Sequence, residues 1–113
     1  INIGNEETKG GYEYEYGLDA CRKIAAMPAL KVRGLMAMLP FTDDEDLLRP
    51  LAKKMRALYD ALRGEMDGIE YLSMGMSGDY GLCIECGSNM IRLGTHIFGA
   101  RNYGAITENG GKV

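Results

Sequence analysis

Residues 69–78 read Ile69-Glu70-Tyr71-Leu72-Ser73-Met74-Gly75-Met76-Ser77-Gly78. Ile69 to Met74 reads as a strand, and it runs into a turn in which two glycines flank Met76 and Ser77. A second segment of the same kind follows, with Met90 to Leu93 as a strand and Gly94-Thr95 as its turn. Outward from these, strand-like and helix-like stretches alternate along the chain, the order of βαβ units around a parallel sheet.

Four strands are expected in all: residues 1–4, Val32 to Met38, Ile69 to Met74, and Met90 to Leu93. The apolar mixture of Val32 to Met38 suits a strand covered on both faces. Between the strands, Leu18, Cys21, Ile24 and Ala25 recur at helical spacing from about Tyr16 until Pro28 stops the run. Leu47, Leu51, Met55, Leu58, Tyr59 and Leu62 form the apolar face of a longer helix. Thr42 and the acids Asp43 to Asp46 mark its approach, and Pro50 puts the helix proper near Arg49, after a preliminary turn at 43–48. A short helix is expected from about Gly78 to Cys86, and a final turn at Thr95 to Phe98. The polar, Gly-rich stretch 5–15 reads as a loop over the mouth of the sheet, and residues 105–113 as a loose tail. Ile1 to Gly4 looks like the end of a strand with no preceding turn, so the chain is expected to begin inside a larger protein.

The bulk numbers exclude several classes. With 113 residues, 46% hydrophobic and 26% charged, the sequence is that of one globular domain. A net charge of -3 and no Lys/Arg stripe disfavour nucleic acid. No apolar run is long enough to span a bilayer and no signal segment opens the chain, so a cytoplasmic protein is expected. Cys21, Cys83 and Cys86 are an odd number and suggest no disulfide framework. Cys83-x-x-Cys86 lacks the second pair that a zinc site needs, and its spacing places both thiols on the inner side of a short helix. The eight methionines read mostly as core filling, with Met74 and Met76 able to line a site. Asp43 to Asp46 lacks the order of a calcium loop, and a single histidine supports no Ser-His-Asp set.

The residues able to carry chemistry lie after the last two strands. In β/α barrels that end of the sheet is the functional face, and the loops there frequently bind phosphate. Gly75 and Gly94 allow close backbone approach, while Ser77 and Thr95 add hydroxyl donors. The same segments also read as ordinary strand-to-helix turns. Arg92, flanked by Ile91 and Leu93, needs either a carboxylate partner or a ligand.

These residues carry a resemblance. Tyr71 to Ser77, Gly87-Ser88-Asn89-Met90-Ile91-Arg92-Leu93-Gly94-Thr95 and Ile97-Phe98-Gly99-Ala100-Arg101 closely resemble the pyridoxal-phosphate homeostasis family, as do Asn2-Ile3-Gly4 through Lys9-Gly10 and Val32 to Met36. Those proteins look like the barrel domain of alanine racemase standing alone. The resemblance implies the carboxyl-terminal half of a parallel β/α barrel, about four βα units within residues 1–104. It implies that Ser77, Gly94 and Thr95 bind the phosphate of pyridoxal 5'-phosphate, that Arg92 faces the pyridine nitrogen, and that Met74 and Gly75 adjoin the site. The family's Schiff-base lysine belongs to the half of the barrel that this sequence lacks; Lys9 matches a different family lysine, in a loop. A non-catalytic carrier of the cofactor is the expected role, with half of a pyridoxal-phosphate-dependent racemase as the alternative. Two open sheet edges imply pairing of copies.

Overall fold

The computed structural model describes residues 1–99; the expected tail at 105–113 lies outside them. A single 3-10 turn, Tyr14–Tyr16, leads into α1 (Gly17–Ala25), followed by β1 (Gly34–Ala37), α2 (Glu45–Glu65), β2 (Tyr71–Met74), α3 (Tyr80–Glu85) and α4 (Thr95–Phe98). β1 and β2 are parallel, with Gly34 opposite Tyr71 and Ala37 opposite Met74. The fold is therefore α/β with a small parallel sheet.

Two of the four expected strands are present, and local side-chain chemistry accounts for the other two. At residues 1–4, the Asn2 amide accepts from Glu6 N–H at 3.0 Å and donates to the Glu6 carbonyl at 2.8 Å, rolling the segment into a turn. Only the Ile1 amino group reaches β1, donating to the Met36 carbonyl at 2.8 Å. On the other side of β2, Met90 makes a single parallel bridge to Ser73. Asn89 takes over part of the ladder, since its Oδ1 accepts from Leu72 N–H at 2.8 Å and its Nδ2 donates to the Glu70 carbonyl at 2.7 Å. The buried Ser88 hydroxyl donates to the Met74 carbonyl at 2.6 Å. Gly75, at φ 118°, then turns β2 out of strand geometry, and its carbonyl accepts from Arg92 N–H at 2.9 Å.

Leu35 and Ala37 of β1 and Leu72 and Met74 of β2 face a core built on α2. The buried stripe of α2 runs through Leu48, Ala52, Met55, Leu58, Tyr59 and Leu62. Leu47 is exposed and Leu51 only partly buried, so the expected face is corrected at its start. The helix begins four residues earlier than Pro50 suggested, and within it Leu47 stands about 100° round from the buried Leu48. Asp44, not Thr42, is its N-cap, accepting from Asp46 N–H at 3.1 Å, and Pro50 sits within the helix. An exposed proline here removes one bond, to the Asp46 carbonyl, which water can replace.

The opposite face of the sheet is open. Met36, Ser73 and Met90 stand in one row across it, and Met36 and Met90 are exposed. Five of the eight methionines, Met27, Met36, Met38, Met76 and Met90, are exposed, which corrects the expectation that they mostly fill the core. Only Met55 and Met74 are fully buried in it. Cys83 on α3 and Cys86 at its C-cap are both buried free thiols, in line with the expected inward pair. No helix of the described residues is long and apolar enough to cross a membrane.

Candidate functional site

Because the sheet is parallel, the segments leaving β1, β2 and the Met90 bridge all emerge at one end, where they enclose a cleft of about 700 Å³. That volume lies within the range of about 300–1,000 Å³ usual for small-molecule sites. Its walls are Met38 to Thr42 after β1, Met76 to Asp79 after β2, and Gly94, Thr95, Phe98 and Gly99, with Lys9 entering from the amino-terminal loop.

Ser77, Gly94 and Thr95 are thus brought together on one wall system. The Ser77 hydroxyl oxygen accepts from His96 N–H at 2.9 Å, which joins the two glycine-bearing turns directly. A hydroxyl that accepts there keeps its own proton free to donate. Met76 N–H donates to Asp79 Oδ1 at 2.7 Å, closing the turn that carries Ser77. Asp79 is the acid and Lys9 the cation among the described lining residues. Lys9 is already partnered: its Nζ lies 2.5 Å from Glu6 Oε2 and donates to the Leu39 carbonyl at 3.2 Å.

Met74 and Gly75 are not on the cleft wall. The Met74 side chain is fully buried in the core. A side chain at Gly75 would stand 3.1 Å from Cys83 Cβ and 3.2 Å from Tyr80 Cα, so this glycine serves close packing of β2 against α3. Arg92 lies off the wall as well. Its Nη2 donates to the Ala37 carbonyl at 3.0 Å, while its Nε is buried without a hydrogen-bond partner. Among the described residues no carboxylate pairs with it, whereas Arg33 and Arg56 each hold one and Arg22 and Arg49 each hold two. Burial pushes the neighbouring Cys83 thiol up to about 12, with Asp79 adding to the rise. A thiol so protonated is a poor nucleophile or ligand.

The sequence did not mark Leu39 to Thr42, Asp79 or Phe98 as residues of the cleft. The usable signal was positional: Pro40 and Phe41 follow a parallel strand at the same end as Ser77 and Thr95. Phe41 is fully exposed there, at the cleft rim.

A parallel βα arrangement whose strand-end loops converge on one cleft defines an α/β protein with a pocket of small-molecule size. Residues 1–102 match the family model for the alanine racemase N-terminal domain, and the chain belongs to that family. It is 40% identical over 104 residues to the pyridoxal phosphate homeostasis protein of Aquifex aeolicus, covering 91% of this chain and 46% of that one. Among solved structures, a protein of Bifidobacterium adolescentis superposes with a TM-score of 0.81 at 32% identity, over 87% of this chain and 40% of that one. PipY of Synechococcus elongatus, solved without PLP, gives a TM-score of 0.78 at 25% identity, over 88% and 47%; PipY has also been solved with PLP bound. The chain spans about half the length of the curated relatives that it matches.

Proposed function

We propose that this chain supplies the phosphate and pyridine-nitrogen contacts of a pyridoxal 5'-phosphate site, in a protein that carries or buffers the cofactor in the cytoplasm. The observation that carries this reading is the junction of Ser77 with the Gly94–Thr95 turn in one cleft, in a chain whose curated relative is a pyridoxal phosphate homeostasis protein. The residues fit the group. Ser77 has a free hydroxyl proton, Gly94 and Thr95 border the same space, and Arg92 has a buried donor that nothing in the described chain satisfies.

When bound, the cofactor supplies an aldehyde and an electron-withdrawing ring. Ser77 and Thr95 would hold its phosphate by donated hydrogen bonds. Arg92, were it to face the pyridine nitrogen, would disfavour protonation there, because a proton would bring two cations together. This chain's own contribution is therefore to bind and orient, with little support for carbanion chemistry. On this reading residues 1–104 are the carboxyl-terminal half of a barrel, and the open methionine face is its interior. In solution two copies cover that face, which sedimentation of the 113-residue chain would register as a dimer.

The test is competition binding. Pyridoxal 5'-phosphate binds and is displaced by inorganic phosphate; pyridoxal, lacking the phosphate, binds about tenfold to a hundredfold more weakly, as loss of charge-assisted hydrogen bonds dictates. Equal affinity for the two forms, or retention of affinity in Ser77→Ala with Thr95→Val, refutes it. The racemase reading is favoured by the description of the matched family model, and appearance of D-alanine from L-alanine in the full-length protein would establish it instead.

A further inference from the structure

The segment from Gly94 to Gly99 forms one wall of the cleft, yet every one of its residues is exposed. Its hydrogen bonds from Ile97, Phe98 and Gly99 N–H return to Gly94 and Thr95 within the segment. Hydrophobic burial therefore does not fix its position. Among the described residues, two contacts tie it to the rest of the chain through His96. The His96 N–H donates to Ser77 Oγ at 2.9 Å, and the His96 ring meets the Tyr80 ring edge-on, centroids 5.3 Å apart at 62°. Tyr80 is a firm anchor, because it opens α3, whose Leu82 and Cys83 are buried, and its own N–H donates to the Met76 carbonyl at 2.9 Å.

We propose that Tyr80 is a positioning residue of the cleft: by packing edge-on against His96 it holds the His96 amide on Ser77 Oγ and so fixes that hydroxyl as a donor toward the ligand. The inference rests on the ligand reading above for its consequence, and on the ring and hydrogen-bond geometry alone for its mechanism. Without the ring contact, Gly94–Gly99 swings on one exposed hydrogen bond. The Ser77 hydroxyl then loses its acceptor role, and its proton samples the His96 direction and water as readily as the cleft. An edge-to-face pair changes such an equilibrium about threefold to tenfold.

Two arms test it, both in the full 113-residue chain. The first is amide hydrogen exchange of His96 by NMR. Exchange quickens about threefold to tenfold in Tyr80→Leu and in His96→Ala, which keeps the amide and truncates only an exposed side chain. In Tyr80→Phe it stays at the wild-type rate, since the ring remains. Unchanged exchange in His96→Ala, or a Tyr80→Phe that behaves as His96→Ala does, overturns the clasp; His96→Ala keeps the test open where Tyr80→Leu fails to fold. The second arm titrates inorganic phosphate and pyridoxal 5'-phosphate. Affinity falls by the same factor in Tyr80→Leu and in His96→Ala and stays at the wild-type value in Tyr80→Phe, while an unchanged affinity in His96→Ala overturns the positioning role. A wild-type chain that binds neither probe overturns the ligand reading and the positioning role with it, and the exchange arm still decides the clasp.

Discussion

Replacing Arg92 by methionine separates a structural arginine from one kept for a ligand. Among the described residues its guanidinium makes one hydrogen bond, to the Ala37 carbonyl, and leaves Nε buried and unmatched. Losing a hydrogen bond from a charged donor costs about 1.5–3 kcal/mol, while removing a buried unsatisfied donor returns about 1–3 kcal/mol. Methionine keeps an unbranched stem of similar reach. The two terms offset, so Arg92→Met is expected to change unfolding stability by no more than about 1 kcal/mol in either direction, read from urea midpoints at constant m. Affinity for pyridoxal 5'-phosphate, by contrast, is expected to fall at least about tenfold. An arginine serving a buried ion pair would give the opposite pattern, a loss of about 3–5 kcal/mol. Destabilisation of that size, with ligand affinity intact, would refute the argument.

Three further outcomes are expected. Gly34→Ala places a Cβ 2.0 Å from the Tyr71 carbonyl oxygen, so the β1–β2 pairing must shift, and a loss of about 3 kcal/mol or more is expected in thermal or urea unfolding. Glu65 is held below its ordinary carboxyl value of 4.5 by its hydrogen bonds with Arg22. Its stabilising contribution is therefore complete above 4.5 and fades as pH falls through the lower folded value; Glu65→Gln should flatten that acid limb of the melting curve, by a small amount because the pair is exposed. Cys83 has the reverse sign: its thiol rises from the ordinary 9.0 to about 12, so stability from keeping it neutral is present below 9 and lost between 9 and 12. Cys83→Ser should lessen that alkaline loss in pH-dependent melts, and wild-type Cys83 should resist thiol reagents at pH 8 until the chain unfolds.

Helical periodicity and glycine-bearing turns made the α/β order, α1, the apolar face of α2 from Met55 onward and the inward Cys83–Cys86 pair legible from sequence. The start of α2 was not, because Pro50 suggests a boundary that Asp44, a better cap two residues beyond Thr42, overrides. Strand count failed for a related reason. Asn2 and Asn89 look like ordinary polar residues in the sequence, yet their side-chain amides take hydrogen bonds that a strand would give to the backbone. At the cleft, Ser77, Gly94 and Thr95 could be grouped from their positions after strands. Which way Met74 points could not, since one step along a strand exchanges the helix-facing side for the ligand side.

The distribution of methionine sulfur has a chemical consequence. Met36, Met38, Met76 and Met90 crowd the open sheet face and the cleft, while Met55 and Met74 are shielded. Mild peroxide would therefore convert the outer thioethers to sulfoxides first, making that face polar and chiral while the interior keeps its packing. Peptide mapping after brief oxidation would read out which side of the sheet meets solvent.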